Sequence, residues 1–121
     1  MRGINKVFIL GRLGKDVLLQ QTKNGHCFVE LWIATSRSIQ KDGDWTAETD
    51  WHAVRFWGKQ AETCAKYLGK GSPIALEGSL RSEQWISNEG EKKSRNYVIG
   101  SELHLLPKRR PINVGVEAVT V

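Results

Sequence analysis

Aromatic and basic residues alternate along one short segment, a combination that can stack flat ligands and neutralise anions. Trp51, Arg55 and Trp57 all stand at odd positions of the chain. In a strand these side chains share one face, because successive residues point to opposite sides. The other face then carries Val54 and Phe56, which suit an apolar core. Since a buried, unpaired guanidinium is very costly, the segment predicts an exposed face around Arg55.

Two further segments place tryptophan on a face that also carries charge. Along 73–86, Trp85 shares its face with Arg81 and Glu83, and the opposite face is apolar: Ile74, Leu76, Gly78 and Leu80. Trp32 likewise shares its face with Glu30. Bases stack on exposed rings for about 1–3 kcal/mol each with little sequence preference, while cations follow the phosphates. The pattern predicts a surface for single-stranded nucleic acid.

Two other interpretations of the same side chains stay open. Tryptophan and arginine are also enriched in protein–protein interfaces. Arginine beside an aromatic ring can equally be cation–π packing that only stabilises the fold. The excess of 18 Lys and Arg over 13 Asp and Glu, a net charge of +5, bears on solubility and association and does not separate these interpretations.

Five predicted strands must position these side chains, and each is rich in branched and aromatic residues. They span the ranges 5–13, 28–36, 50–57, 73–86 and 94–106. The range 17–22 is predicted to continue the first strand after a bend. Polar segments at 39–49 and 87–93 are predicted to be exposed loops.

One helix is predicted at 59–68, between the third and fourth strands. Apolar residues recur there at helical spacing: Ala61, Cys64, Ala65 and Leu68. Gly69 stands where a left-handed cap is expected, and Asn24-Gly25 predicts a tight turn. Five strands with one helix in this position match the five-stranded Greek-key barrel of an OB-fold, an all-β class. Other small α+β arrangements fit the periodicity as well.

Catalysis finds little support in the sequence. His26, His52 and His104 are scattered, and no cluster of His and Cys has the spacing of metal ligands. Cys64 lies on the apolar face of the predicted helix, where a packed, unreactive thiol is expected. The glycine-rich run 69–72 lacks the upstream glycine of a phosphate-binding loop. We therefore predict a binding protein with no catalytic residue, no metal and no cofactor.

The chain of 121 residues is long enough for one domain with its own core. We assign residues 1–107 to that domain and 108–121 to a short C-terminal extension. Cys27 and Cys64 alone cannot make a disulfide scaffold, and no apolar signal region follows Met1. No apolar run approaches the roughly 20 residues of a membrane span. We expect a reduced, cytoplasmic protein with no membrane partner.

Several short runs, in order between residues 2 and 106, carry a family resemblance. They are RGINKV at 2–7, LGRLGKD at 10–16, IATS at 33–36, TDWH at 49–52, FWGKQAE at 56–62, YLGKGS at 67–72, LEGSLR at 76–81, and Trp85. Together they resemble the bacterial single-stranded DNA-binding proteins (SSB). The resemblance implies an OB-fold and a homotetramer. It also implies binding of single-stranded DNA with little sequence preference in replication, recombination and repair, at the nucleoid.

The resemblance also implies roles for particular residues. Trp51, Trp57 and Trp85 fall at base-stacking positions of the family. Basic residues at or beside positions that contact the DNA backbone are Lys6, Arg55, Lys59, Lys70 and Arg81. Further DNA-binding candidates are Arg2, Lys92, Lys93 and Arg95. His52 matches a position associated with subunit contacts, and a satisfied, partly buried histidine is the alternative.

This sequence departs from the family pattern along the predicted binding surface. Ile39 stands in a loop position where the family often has another stacking tryptophan, which leaves Trp32 or Trp45 to compensate. Glu83 and Gln84 replace residues that are often basic, and this weakens the local attraction for phosphates.

The C-terminal segment departs further. Family members usually end in a flexible linker and a short acidic–apolar tip that recruits replication and repair proteins. Here Glu117 is the only acid between Pro107 and Val121, which puts recruitment through such a tip in doubt.

Two other binding functions compete with the SSB interpretation. An RNA-directed OB module of the cold-shock type would bind single strands by similar chemistry, but such modules are shorter and lack a helix of this kind. An assembly protein of the primosome type would use the same fold mainly for protein contacts.

Overall fold

Six strands and one helix make up the part of the chain that the computed structural model describes, residues 1–107. They are β1 (Val7–Leu13), β2 (Gln20–Gln21), β3 (Cys27–Lys41), β4 (Asp44–Trp57), α1 (Lys59–Tyr67), β5 (Pro73–Ile86) and β6 (Lys92–Leu105). No helix within these residues is long and apolar enough to cross a membrane.

Five of the strands close into a barrel. Their order is β1-β5-β6-β4-β3, and β1 returns to β3 where Arg12 pairs with Ala34 and Leu13 with Ile33. All pairings are antiparallel except that of β4 with β6. The two-residue β2 adds only to the edge of β3. The predicted OB-fold, with its helix between the third and fourth long strands, is confirmed.

Alternate residues of the strands fill the barrel, as the period of two predicts. The fully buried large side chains are Val29, Leu31, Ile33, Val54, Phe56, Cys64 and Ile74. Val54 and Phe56 confirm the predicted core face of β4. The helix α1 contributes Ala61 and Cys64 to the same core. Burial raises the pKa of the Cys64 thiol to about 11, which fits the expected unreactive thiol.

The predicted loop at 39–49 is wrong, because this segment is the outer part of a long two-stranded ribbon. Ile39 pairs with Thr46, and the turn consists of Asp42 and Gly43 with φ of 51° and 84°. An Asp-Gly pair accepts the positive φ that a tight hairpin requires at both central residues. The polar composition of the segment reflects exposure on both faces of the ribbon and not a lack of regular structure.

The predicted left-handed cap at Gly69 is also wrong. The helix ends at Leu68 in extended backbone, with φ −112° and ψ 145°. The positive φ occurs at Gly71 instead, at 86°, and the Gly69 N–H donates to the Ser72 hydroxyl at 3.0 Å. Smaller differences are that only Gln20–Gln21 of the range 17–22 forms a strand, and that β6 already begins at Lys92.

Candidate nucleic-acid interface

The outward residues of four adjacent strands form one continuous surface, which we call the tryptophan surface. On β3 and β4, Phe28 lies opposite Trp57, Glu30 opposite Arg55, and Ala34 opposite Trp51. On β5 and β6, Arg81 lies opposite Tyr97, Glu83 opposite Arg95, and Trp85 opposite Lys93. The parallel pairing of Arg55 with Ile99 joins the two halves. The barrel thus brings together the three predicted stacking residues and several of the predicted cations.

The three tryptophans of this surface are exposed, and two of them are held by a neighbour. Trp51, Trp57 and Trp85 are 54%, 38% and 44% exposed. Trp57 packs against Phe28 with ring centroids 5.0 Å apart. Trp51 lies over Gly14, where an added Cβ would come within 2.3 Å of the indole. Large exposed rings that are fixed in place lose little entropy when a base stacks on them.

Arg55 lies in the floor of the surface and is already engaged. Only 17% of its side chain is exposed, and its Nη2 donates to Glu30 at 2.9 Å. The guanidinium carbon is 4.6 Å from the centroid of the Tyr97 ring. Its Nε is buried and has no hydrogen-bond partner in the described structure. Arg55 is thus less open to a phosphate than its alternation with tryptophan predicts.

Arg95 is the second arginine of the floor, and it shares both carboxylates with Arg55. Its Nη2 donates to Glu30, and its Nε donates to Glu83 at 3.1 Å. Glu83 also approaches Arg55, at 3.8 Å. Two arginines and two glutamates therefore alternate in one cluster, the floor cluster, whose formal charge is zero.

Within the floor cluster, the pKa values of Glu30 and Arg95 are shifted in the direction that keeps both groups charged. Burial alone raises the pKa of Glu30, but hydrogen bonds from Arg95 and Arg55 outweigh burial and lower it below its ordinary value. The hydrogen bond to Glu30 raises the pKa of Arg95. Charge-assisted hydrogen bonds of this kind favour the ionised form of both partners.

Most of the other predicted cations are exposed and form no ion pair within residues 1–107. They are Arg2, Lys59, Lys70, Arg81, Lys92 and Lys93. Lys92 and Lys93 line a shallow hollow of about 480 Å³ together with Trp85. Lys59 begins α1, two residues after Trp57. The positions of Lys59, Arg81, Lys92 and Lys93 suit contacts with the phosphates of a strand whose bases lie on the tryptophans.

Lys6 has a different environment from the other predicted cations. Its ammonium donates to Glu77 at 2.7 Å, and this hydrogen bond raises its pKa. Glu77 lies opposite Phe8 in the pairing of β1 with β5. The same exposed surface holds Leu10, and Phe8, Leu10, Ala75, Glu77 and His104 line a hollow of about 330 Å³. We call these five residues the β1 surface.

His52 points with the core residues of β4 and is partly buried. Its Nε2 and the Thr35 hydroxyl are 2.8 Å apart, so the ring is satisfied within the chain. A subunit contact at His52 stays a prediction. No group of three or more His, Cys, Asp or Glu side chains in the described range 1–107 is arranged to hold a metal ion.

Sequence reasoning missed four residues that shape the tryptophan surface. Phe28 supports Trp57, Gly14 makes room for Trp51, and Tyr97 lies under Arg55. Glu30 holds both arginines. Tyr97 could have been found, since it alternates with Arg95 on a predicted strand, and Phe28 is in phase with Glu30 in the same way. Nothing in the sequence pairs Gly14 with Trp51. The predicted extension 108–121 lies outside the described residues.

Comparison with known proteins agrees with the fold and gives the family. Residues 4–106 match the model of the Single-strand binding protein family. The single-stranded DNA-binding protein 1 of Chlorobaculum tepidum is 35% identical over 107 residues, 87% of this chain and 66% of that protein. A deletion mutant of the single-stranded DNA binding protein from Thermus aquaticus superposes with a TM-score of 0.77 at 33% identity, over 89% of this chain and 53% of that one.

A solved complex of the Plasmodium falciparum SSB with single-stranded DNA has the same fold. It superposes with a TM-score of 0.80 at 24% identity, over 88% of this chain and 98% of that one. The family match covers most of the chain, and the chain spans just under two thirds of the C. tepidum relative. On these grounds the chain belongs to the single-strand binding protein family.

Proposed function

We propose that this chain binds single-stranded DNA with little sequence preference and acts in DNA replication, recombination and repair. The observation that carries the proposal is the tryptophan surface, where three exposed indoles lie on one sheet with unpaired lysines beside them. Its family is one of non-enzymatic DNA-binding proteins, and relatives are named for single-stranded DNA. A protein with this activity would work in the cytoplasm at the nucleoid.

Two kinds of contact contribute to binding in this proposal. Trp51, Trp57 and Trp85 each stack a base, for about 1–3 kcal/mol per base. The unpaired cations at the edges neutralise phosphates: Arg2, Lys59, Lys70, Arg81, Lys92 and Lys93. Each phosphate neutralised on a single strand adds about −0.7 to the slope of log affinity against log salt. Arg55 and Arg95 contribute less to this neutralisation, because both are paired within the floor cluster.

Trp45 extends this surface along the β3–β4 ribbon. It is exposed and stands in phase with Trp51 on β4, six residues away. At about 3.3 Å per residue, that separation is roughly 20 Å, enough for several nucleotides. Ile39, the position where the family often stacks a base, is partly buried opposite Thr46. We propose that Trp45 supplies the ring that Ile39 lacks.

The chain forms a homotetramer in this proposal, and the β1 surface is one of its contacts. Phe8 and Leu10 are large, exposed and apolar. Next to Phe8, the Lys6 ammonium is bound to Glu77, and Arg12, the next outward residue after Leu10, is exposed with its guanidinium on the Gly71 carbonyl. A second copy of the chain can bury Phe8 and Leu10 while these charged groups stay at the rim of the contact. His52 supplies a further contact in this proposal.

Tryptophan fluorescence tests the proposed ligand. Poly(dT), poly(U) and duplex DNA are titrated against the protein at one salt concentration, and the quenching is compared. Strong quenching by poly(dT) only is the expected result, because stacking on Trp51, Trp57 and Trp85 changes their emission. Equal quenching by poly(U) would favour the RNA-directed alternative. No response to any polymer would overturn the proposal and favour a protein-contact role.

A further inference from the structure

Two carboxylates of unequal exposure hold Arg95 on the tryptophan surface. Glu30 is the inner one, with 22% of its side chain exposed, and it accepts hydrogen bonds from both Arg95 and Arg55. Glu83 is the outer one, with 37% exposed. Its contact with Arg95 is 3.1 Å and its contact with Arg55 is 3.8 Å. Glu83 is therefore the partner that can leave while Glu30 keeps Arg95 in place.

Glu83 and Arg95 lie where a bound strand would run. Together with Gln84 and Trp85 they line a shallow hollow of about 420 Å³. A nucleotide stacked on Trp85 would bring its phosphate to the side chains of this hollow. A guanidinium binds phosphate and carboxylate through the same planar fork of N–H groups, so the two anions are alternatives for Arg95.

The exposure of the Glu83–Arg95 pair makes such an exchange feasible. An ion pair near the surface contributes little to stability, because water screens it and two long side chains must be ordered. A phosphate can therefore take the place of Glu83 on Arg95. Binding must nevertheless displace the carboxylate, or else leave it beside the phosphate without compensation. Either outcome lowers the affinity for DNA.

We propose that Glu83 is an internal competitor of DNA phosphate for Arg95, and that it limits the affinity of the tryptophan surface for single-stranded DNA. This inference rests on the proposed function and deepens it. It makes Glu83 a determinant of affinity on a surface whose other acid, Glu30, is a positioning residue.

The test compares Glu83→Gln with the wild-type protein in oligo(dT) titrations over a range of salt concentrations. In the wild type, a phosphate on Arg95 only replaces another anion; without the Glu83 carboxylate the same contact neutralises one more phosphate, so the slope of log affinity against log salt steepens by about 0.7. The affinity then rises about fivefold at 0.1 M salt, and the two lines converge near 1 M. The Glu83→Ala variant removes the carboxylate without introducing an amide, and it should steepen the salt slope by the same amount.

Glu89→Gln is the matched control. It changes the net charge by the same amount, and the Glu89 carboxylate forms no ion pair with residues 1–107. The steepening should be absent in this control. It should also be absent when Glu83→Gln is combined with Arg95→Gln, because Arg95 is then missing and Arg55 stays bound to Glu30.

The inference is overturned if Glu83→Gln and Glu89→Gln have the same slope and affinity. It is also overturned if the steepening persists without Arg95. Wild-type protein that binds oligo(dT) normally would leave the proposed function intact in both cases. Failure of the wild-type protein to bind oligo(dT) at any salt concentration would instead overturn the proposed function itself.

Discussion

The tryptophan surface and the β1 surface are both outward faces of the barrel that expose large apolar side chains, but their charges differ. On the tryptophan surface the rings alternate with charged side chains, and unpaired lysines stand at its edges. On the β1 surface, exposed Phe8 and Leu10 lie beside the ion pair of Lys6 with Glu77, and His104 lies 3.9 Å from Glu102. Exposed apolar area alone therefore does not identify a ligand. The pattern of charge around the apolar area indicates whether it suits a polyanion or a second protein surface.

The floor cluster shows that a cation on the tryptophan surface is not necessarily free to bind a phosphate. Arginine between tryptophans predicts phosphate contact, yet Arg55 and Arg95 are already paired with Glu30 and Glu83. The net charge of a surface is thus a poor guide to the number of phosphates it neutralises. Only cations that are free to pair count, such as Lys92 and Lys93 beside Trp85 and Lys59 after Trp57.

The largest expected effect is on assembly. Phe8→Glu combined with Leu10→Glu should convert the proposed tetramer to smaller species, because an unpaired carboxylate buried at an interface costs several kcal/mol. Sedimentation with and without oligo(dT) measures this. Tyr67→Glu, which places one charge on the exposed side of α1, is the control and should leave the oligomer unchanged. An intact tetramer in the double variant would show that the β1 surface is not a subunit contact.

Loss of one stacking ring comes next. Trp57→Ala should weaken oligo(dT) binding by about 1–3 kcal/mol with the salt slope nearly unchanged, since stacking releases no counterion. Fluorescence titration at several salt concentrations measures both quantities. Tyr67→Ala removes an exposed ring outside both surfaces and should bind as wild type does. Equal losses in the two variants would mean that the position of the ring is irrelevant.

Loss of one edge cation should change the salt slope, which loss of a stacking ring leaves nearly unchanged. Lys59→Ala should flatten the salt slope by about 0.7 and weaken binding about fivefold at 0.1 M salt, because one phosphate is no longer neutralised. The same fluorescence titrations measure the salt slope and the affinity. Lys66→Ala, near the other end of α1, is the control and should keep the wild-type slope. A shared flattening would indicate a general effect of net charge.

The smallest effect concerns acid stability. The pKa of Glu30 lies below its ordinary value of 4.5, since hydrogen bonds from Arg95 and Arg55 outweigh the burial that would raise it. The folded state then binds fewer protons than the unfolded state. The stabilisation is therefore fully present above about pH 4.5 and is lost as the pH falls through the folded pKa. Urea unfolding of wild type and Glu30→Gln should show a weaker acid dependence in the variant, whereas Glu89→Gln should follow wild type.

Much of the barrel could be predicted from the sequence, because its long strands have one buried face. Val54 and Phe56 alternate with Trp51, Arg55 and Trp57, and a period of two fixes which side is the core. The β3–β4 ribbon could not be predicted in this way. It has no buried face, so its polar residues give the pattern of a loop although Asp42 and Gly43 close a regular hairpin.

The stacking rings of the candidate site could be predicted from the sequence, but its ion pairs could not. Alternation within one strand reveals that Trp51 and Trp57 share a face. The partners of Arg55 come instead from β3 and β5, at Glu30 and Glu83, and depend on a register that one strand does not contain. The same is true of the support that Gly14 gives to Trp51. Contacts between strands distant in sequence need the closed barrel to define them.

Ultraviolet crosslinking of oligo(dT) to the intact protein, followed by mapping of the crosslinked peptides by mass spectrometry, tests the difference between the two surfaces most directly. Crosslinks should map to the peptides that carry Trp51, Trp57 and Trp85. In the Trp57→Ala variant, crosslinking of the peptide that contains position 57 should diminish. Phe8 should not be crosslinked, although it is aromatic and exposed. Crosslinks that concentrate at Phe8 and leave the three tryptophans unmodified would contradict the assignment of single-stranded DNA to the tryptophan surface.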